Sequence, residues 1–200
     1  MAYSSWAHPS QNSGSGSADV SWSADQNTGR NQRSTTPKFT AASCDDVPVT
    51  VNQAGKPEFV DQDDTGSIAK GGATLTVHGT ANSSKLTFSF GTNNIGLTMP
   101  SNYTAAGAST ANGANISGDP GASAQYSFSI TFATPGANPG TTARTTQLIV
   151  TDAAGHTDTC LITQAAGDAY LTVTPTTVEL DWEGNAETVH VDSNTSWSIS

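Results

Sequence analysis

The stretch Tyr126–Phe132, which reads YSFSITF, decides the fold class. Aromatic or aliphatic residues alternate with Ser or Thr at every position, so one face of the stretch is apolar and the other is polar. This period of two is typical of a β-strand with one buried and one solvated face. The stretch therefore predicts a strand that covers a core.

The same alternation recurs in four other stretches. The predicted apolar faces are formed by Val20 and Trp22 in ADVSW, by Leu86, Phe88 and Phe90 in LTFSF, by Val178, Leu180 and Trp182 in VELDWEG, and by Trp197 and Ile199 in NTSWSIS. Turn-forming Gly, Asn, Asp and Pro residues separate these stretches. Residues 91–115, rich in Gly and Asn, are expected to form a long loop or an irregular edge. Short strands joined by many turns predict an all-β protein made of immunoglobulin-like β-sandwiches.

Composition and charge exclude several classes of partner. The 200-residue chain has a net charge of −10 and a pI of about 4.4. Such a surface repels phosphate backbones, so no nucleic acid partner is expected. No apolar stretch is long enough to cross a membrane. The two cysteines, Cys44 and Cys160, make neither a disulfide framework nor a metal site, and both are expected to be buried thiols.

An internal repeat of about 110 residues runs through the chain. Two pairs of blocks lie 111 positions apart: QAGKPEF (53–59) with QAAGDAY (164–170), and RSTTPKFTAAS (from Arg33) with RTTQLIVTDAAG (from Arg144). A third pair, GGATLTVHGTANSS (71–84) with EGNAETVHVDSNTS (183–196), lies 112 positions apart. A fourth, ADVSWSA (18–24) with AQYSFSI (124–130), lies 106 positions apart. About 110 residues is the size of one immunoglobulin-like domain.

The repeat is out of phase with the chain. Residues 60–167 are predicted to form one complete domain, residues 1–59 the closing half of a second, and residues 168–200 its opening half. The two halves are expected to pair with each other, either within one chain or between neighbouring chains, unless the sequence is a section of a longer array. The assembly residues predicted on this basis are Trp6, Val20 and Trp22 in the first half and Tyr170, Val178, Leu180, Trp182, Val189, Val191, Trp197 and Ile199 in the last.

These blocks resemble the BACON domain (Bacteroidetes-associated, carbohydrate-binding, often N-terminal). Residues 170–200, with the LTVTP strand and the SNTSW motif, resemble its opening half. Residues 13–39 together with VTVNQAG at 49–55 resemble its closing half, and residues 60–167 look like a more divergent relative. The resemblance implies the sandwich fold and says little about activity.

Such domains occur in glycan-handling proteins of gut Bacteroidetes and in virion proteins of phages that infect them, including crAss-like phages. MAYSSWAHPS at the N-terminus lacks the basic start and apolar core of a secretory signal, so the chain is expected to be made in the bacterial cytoplasm. With the split domain, this favours an auxiliary or decoration protein on the exterior of a phage capsid, or else a fibre or tail component. The expected partners are copies of itself and other virion proteins, the major capsid protein among them.

An enzyme is not expected, and neither is a cofactor. The histidines His8, His78, His156 and His190 are far apart in sequence, and no nucleophile motif or phosphate-binding loop is present. Asp61, Asp63 and Asp64 form a weak candidate calcium site between repeat units, because hard cations favour several oxygens from one loop.

A carbohydrate-binding module for mucin or host-surface glycans is the alternative function. Such a site needs an aromatic ring presented to solvent beside polar groups. Trp22 and Trp182 share their faces with Val and Leu and are predicted to lie in cores. Trp6 and Tyr103 lie in contexts typical of loops and are therefore the predicted glycan contacts.

Overall fold

The computed structural model describes residues 3–200, and its regular secondary structure consists of β-strands and one short 3-10 helix. The protein is all-β and built on the immunoglobulin-like β-sandwich pattern, as the alternating sequence predicts. We refer to residues 3–59 as the N-terminal unit, to residues 60–167 as the central sandwich and to residues 168–200 as the C-terminal segment. No helix among the described residues has the length and apolar character needed to span a membrane.

The central sandwich contains nine strands in two sheets. They are β7 (Val60–Gln62), β8 (Thr65–Ile68), β9 (Leu75–Ala81), β10 (Leu86–Asn93), β11 (Asn102–Ala105), β12 (Ala108–Ala111), β13 (Tyr126–Phe132), β14 (Arg144–Asp152) and β15 (Thr157–Gln164), with the 3-10 helix at Pro120–Ala122. One sheet has the order β12-β11-β13-β9-β7 and the other β10-β14-β15-β8. All pairings are antiparallel except that of β8 with β15.

The core lies between these two sheets. In β13 the four apolar residues of YSFSITF are buried, which confirms the predicted alternation. The largest side chains that are almost completely buried include Leu86, Ile130, Phe132, Leu148 and Ile162. Burying a side chain of this size stabilises a fold by about 1.5–3 kcal/mol, so these residues are the main source of the sandwich's stability.

The N-terminal unit consists of three two-stranded ladders without a second sheet over them. Its strands are β1 (Ala7–Pro9), β2 (Trp22–Ala24), β3 (Arg33–Thr35), β4 (Lys38–Phe39), β5 (Val47–Pro48) and β6 (Val51–Gln53). They pair as β1 with β2, β3 with β6 and β4 with β5. The C-terminal segment contributes one hairpin, β16 (Leu171–Thr174) with β17 (His190–Ser193).

Two sequence-based predictions about local structure are wrong in part. The Gly- and Asn-rich residues 91–115 include a regular hairpin, β11–β12, whose turn is made by Ala106 and Gly107 with positive φ angles of 49° and 80°. Residues 94–101 do form a loop between β10 and β11, and the β11–β12 hairpin lies at the edge of its sheet, so the prediction is wrong only in expecting that edge to be irregular. Cys44 is exposed, and only Cys160 is a buried thiol.

Candidate functional site

The hydrogen-bond registers of the flanking parts repeat those of the central sandwich. In the N-terminal unit Arg33 is opposite Gln53 and Phe39 is opposite Val47. The residues 111 positions further on pair in the same way, Arg144 with Gln164 and Val150 with Asp158. The C-terminal hairpin pairs Leu171 with Ser193 as β7 and β9 pair Val60 with Ala81. The repeat is thus present in the backbone as well as in the sequence.

A buried asparagine closes the same loop in the N-terminal unit and in the central sandwich. The Asn27 side-chain amide donates to the carbonyls of Asn31 and Ala54 at 2.9 and 3.0 Å, and its Oδ1 accepts the Gly29 N–H. Their counterparts 111 positions on make the same three bonds. The Asn138 amide donates to the carbonyls of Thr142 and Ala165, and its Oδ1 accepts the Gly140 N–H. These two loops, 111 positions apart, are therefore built alike.

A second asparagine binds the segment that leads into each following unit. Asn82 Oδ1 accepts the Phe59 N–H at 2.9 Å, and its amide donates to the carbonyls of Lys56 and Pro57. Asn194 Oδ1 accepts the Tyr170 N–H at 3.0 Å in the same way. Its amide donates to the carbonyls of Asp168 and Pro139. The junctions before and after the central sandwich share this arrangement.

The C-terminal segment exposes an apolar surface. Leu180 is 63% exposed, whereas Ile68, its counterpart 112 positions earlier, is 3% exposed. Trp182 is 92% exposed. The other large apolar residues of this surface are Tyr170, Leu171, Val173, Val178, Val189, Trp197 and Ile199. The predicted inward orientation of Val178, Leu180 and Trp182 does not occur in the chain by itself.

The predicted strands VELDWEG and SWSIS are not formed as strands. Their counterparts in the central sandwich are β8, which pairs only with β15, and β10, which pairs only with β14. No described residue of the C-terminal segment supplies such a partner. The β16–β17 hairpin does form, because its two strands satisfy each other's hydrogen bonds. The strands that do not form are thus those whose counterparts pair with β14 and β15, and the described residues of the C-terminal segment contain no equivalent of these two strands.

The N-terminal unit also exposes an apolar surface. Phe39 is 44% exposed, while its counterpart Val150 is fully buried. Val49 is exposed, while its counterpart 111 positions on, Cys160, is buried. Val20 and Trp22, the counterparts of the buried Tyr126 and Phe128, are half-buried. A groove of about 480 Å³ runs along this face, lined by Tyr3, Asn12, Val20, Trp22, Pro37 and Phe39 among others. The N-terminal unit therefore has an open inner face where the central sandwich has a closed core.

Of the two predicted glycan contacts, one is buried. Tyr103 lies in β11 with 3% of its surface exposed, and its ring packs edge-on against Phe88 at a centroid distance of 5.0 Å. It cannot stack on a sugar, because its ring is buried in the core, and it lies in a strand rather than in the expected loop. Trp6 is half-buried beside β1, and the Arg33 guanidinium lies 4.5 Å from its ring centroid. This cation–π contact joins residues 27 positions apart and could not be predicted from a sequence motif.

The three aspartates of the candidate calcium site are exposed but do not converge. The Asp63 carboxylate accepts the backbone N–H of His78 at 2.8 Å. Asp61 lies in β7, and Asp64 follows it in the turn to β8. Within residues 3–200 no group of three or more His, Cys, Asp or Glu side chains is arranged to hold a metal ion.

Comparison with known families links the N-terminal unit to a binding domain. Residues 1–54 match the BACON family model, described as "Putative binding domain, N-terminal". This is a family of binding domains rather than of enzymes. No curated protein matches the chain.

Proposed function

We propose that this protein is a non-enzymatic structural protein that self-associates by completing split β-sandwich domains. The C-terminal segment would supply the opening half of a domain and the N-terminal unit its closing half. One observation carries the proposal: both parts expose apolar residues whose counterparts are buried against each other in the central sandwich.

The energetic gain from completion is large. Each large apolar side chain gains about 1.5–3 kcal/mol when it is fully buried. Six of the residues that the two parts leave exposed or half-buried have counterparts buried in the central sandwich: Leu180, Val189, Val20, Trp22, Phe39 and Val49. The sum is comparable with the stability of a whole domain, about 5–15 kcal/mol, so it can offset the cost of association. Main-chain hydrogen bonds to unpaired strand edges add affinity and specify the register.

The mass of the purified chain in solution tests this proposal. All four tryptophans, Trp6, Trp22, Trp182 and Trp197, lie outside the central sandwich, so their fluorescence reports on the two halves. With rising concentration we expect the light-scattering mass to increase above the 20.4 kDa of one chain. The tryptophan emission should shift to shorter wavelength over the same range. A mass of one chain at all concentrations would contradict self-association.

We further propose that this assembly belongs to the exterior of a phage virion. Support comes from the resemblance of residues 13–55 and 170–200 to domains that occur in virion proteins of Bacteroides phages. An auxiliary or decoration protein of the capsid is the preferred role, with a fibre or tail component as the next. Partners would be copies of itself and the major capsid protein. Mass spectrometry of purified phage particles tests this location. Absence of the chain from these particles would exclude it.

Carbohydrate binding is a second candidate function, favoured by the groove of the N-terminal unit. Tyr3 and Trp22 meet there edge-to-face, with ring centroids 5.7 Å apart, and the polar side chains of Gln11 and Asn12 line the same groove. Aromatic rings beside hydrogen-bonding groups are suited to a sugar. Because Trp22 also belongs to the open inner face, sugar binding and domain completion would compete.

Binding of mucin-type oligosaccharides to the wild-type chain and three variants tests this second candidate. If the groove is the site, Trp22→Ala should weaken binding about five- to thirtyfold, because stacking on an aromatic ring contributes on the order of 1–2 kcal/mol. Trp6→Ala tests the contact predicted from sequence. Leu161→Ala is the control, since Leu161 is an exposed apolar residue of the central sandwich that does not line the groove. Equal binding by all four proteins would exclude both sites.

A further inference from the structure

We infer that the split domain is completed between two copies of the chain, head to tail, in the register that the central sandwich already shows. This inference rests on the proposed self-association and names its partner, its strand pairs and its direction. The occupant of the open face of the N-terminal unit is the C-terminal segment of a second copy.

The two halves of one chain dock at opposite ends of its central sandwich. The backbone N–H groups of Arg30 and Asn31 donate to the carbonyls of Gly121 and Ala122, next to the end of the β9–β13 ladder where Ala81 is opposite Tyr126. At the other end of that ladder Leu75 is opposite Phe132.

The C-terminal segment is attached at that second end. The Asn194 amide donates to the carbonyl of Pro139, in the loop that follows β13, and Asp168 pairs with Lys70, which precedes β9. A seven-residue strand spans about 20 Å, so the two halves of one chain are held apart by the length of the central sandwich. Pairing with a second copy requires no rearrangement of these junctions.

The register of the first intermolecular ladder follows from that of β9 with β13. There Thr80 is opposite Ser127 and Gly79 is opposite Phe128. The counterpart of β9 lies 112 positions later in β17, and the counterpart of β13 lies 106 positions earlier in β2. The same pairs are therefore expected between β17 of one copy and β2 of the next. Asp192 of one copy would lie opposite Ser21 of the next, and Val191 opposite Trp22. The apolar residues Val189 and Val191 would then face the core, and Asp192 would face solvent.

The second ladder follows from the parallel pair of β8 with β15. Gly66 is there beside Ile162, and Ile68 beside Gln164. The transferred pairs are Val178 beside Val51 and Leu180 beside Gln53. Gly72 and Gly184, both with positive φ, support the spacing of 112 used here. The segment around Val178 and Leu180, which lacks a partner in one chain, would become a strand at this edge.

Disulfide formation between designed cysteines tests the register. The background variant is Cys44→Ser, because Cys44 is exposed. Cys160 can stay, since burial raises the pKa of its thiol to about 11 and keeps it unreactive. Asp192→Cys with Ser21→Cys places two cysteines opposite each other, within the Cα separation of about 4.4–6.8 Å that a disulfide needs. Asp192→Cys with Ser23→Cys is the matched control, displaced by two residues.

Mild oxidation should convert most of the Asp192→Cys/Ser21→Cys chains into a ladder of covalent dimers, trimers and longer species, which non-reducing electrophoresis resolves. The control pair should give at least about fivefold less disulfide-linked product, because diagonal neighbours across a ladder are about 7–8 Å apart. Oligomers by light scattering with equal cross-linking of both pairs would overturn the register but leave self-association standing. A disulfide confined to single chains would overturn the intermolecular pairing. Monomers by light scattering would overturn the proposed function itself.

Discussion

Replacing Leu180 with aspartate is expected to keep the chain monomeric at concentrations where the wild type associates. The substitution removes about 1.5–3 kcal/mol of side-chain burial and places a carboxylate at a core position, where desolvation costs at least another ~2 kcal/mol. Together these effects weaken association by about 10²–10⁴-fold. Leu180 is 63% exposed in the single chain, so its own fold should hardly change. Light scattering measures the association, and far-UV circular dichroism measures the fold.

Leu161→Asp is the matched control for this experiment. Leu161 is also an exposed leucine, at 48%, but it lies in β15 on the outer face of the central sandwich. Its substitution should leave the association constant within about twofold of wild type, because surface changes away from contacts have small effects. If Leu161→Asp weakens association as strongly as Leu180→Asp, the effect comes from general charge repulsion and the proposed interface is wrong.

Asn82→Ala is expected to destabilise the central sandwich by about 2–4 kcal/mol. The change removes three side-chain hydrogen bonds to the segment Lys56–Phe59 and leaves the Phe59 N–H without its partner. A buried polar group left unsatisfied costs about 1–3 kcal/mol. Asn82 is fully buried, so water cannot easily replace these bonds. Urea unfolding followed by circular dichroism measures the change in the free energy of unfolding.

Asn194→Ala is the comparison for this prediction, because Asn194 makes the corresponding bonds in a more exposed setting. We expect it to cost under about 1 kcal/mol in the monomer, since solvent can replace the lost bonds. Under conditions of association its effect should approach that of Asn82→Ala, because the completed domain would bury it. Equal effects of both substitutions in the monomer would show that burial does not set the cost.

The strand pattern and the repeat could be predicted from the sequence because both depend on local alternation and on similarity within the chain. The buried residues of β13 and the inward face of β10 follow from period two alone. The repeat spacing of 111 also predicts which residues are equivalent, and the backbone registers of β3 with β6 and β14 with β15 agree with it.

Features that depend on a distant partner could not be predicted in this way. The alternation of VELDWEG is that of a strand, but a strand needs a neighbour, and none is available to it among the described residues. Tyr103 has glycines and asparagines around it in sequence, yet β13 pairs with its strand and buries it. Glycan contact at Trp6 and the intermolecular assembly remain predictions.

The attachment of the two halves at opposite ends of the β9–β13 ladder has a mechanical consequence. In a head-to-tail series the joins between subunits run through sandwich cores, with strands roughly along the line that connects one chain to the next. Tension along that line would load the β17–β2 ladder in shear, so that its hydrogen bonds resist together rather than opening one at a time. Subunits joined in this way would separate slowly under force even when their equilibrium affinity is moderate.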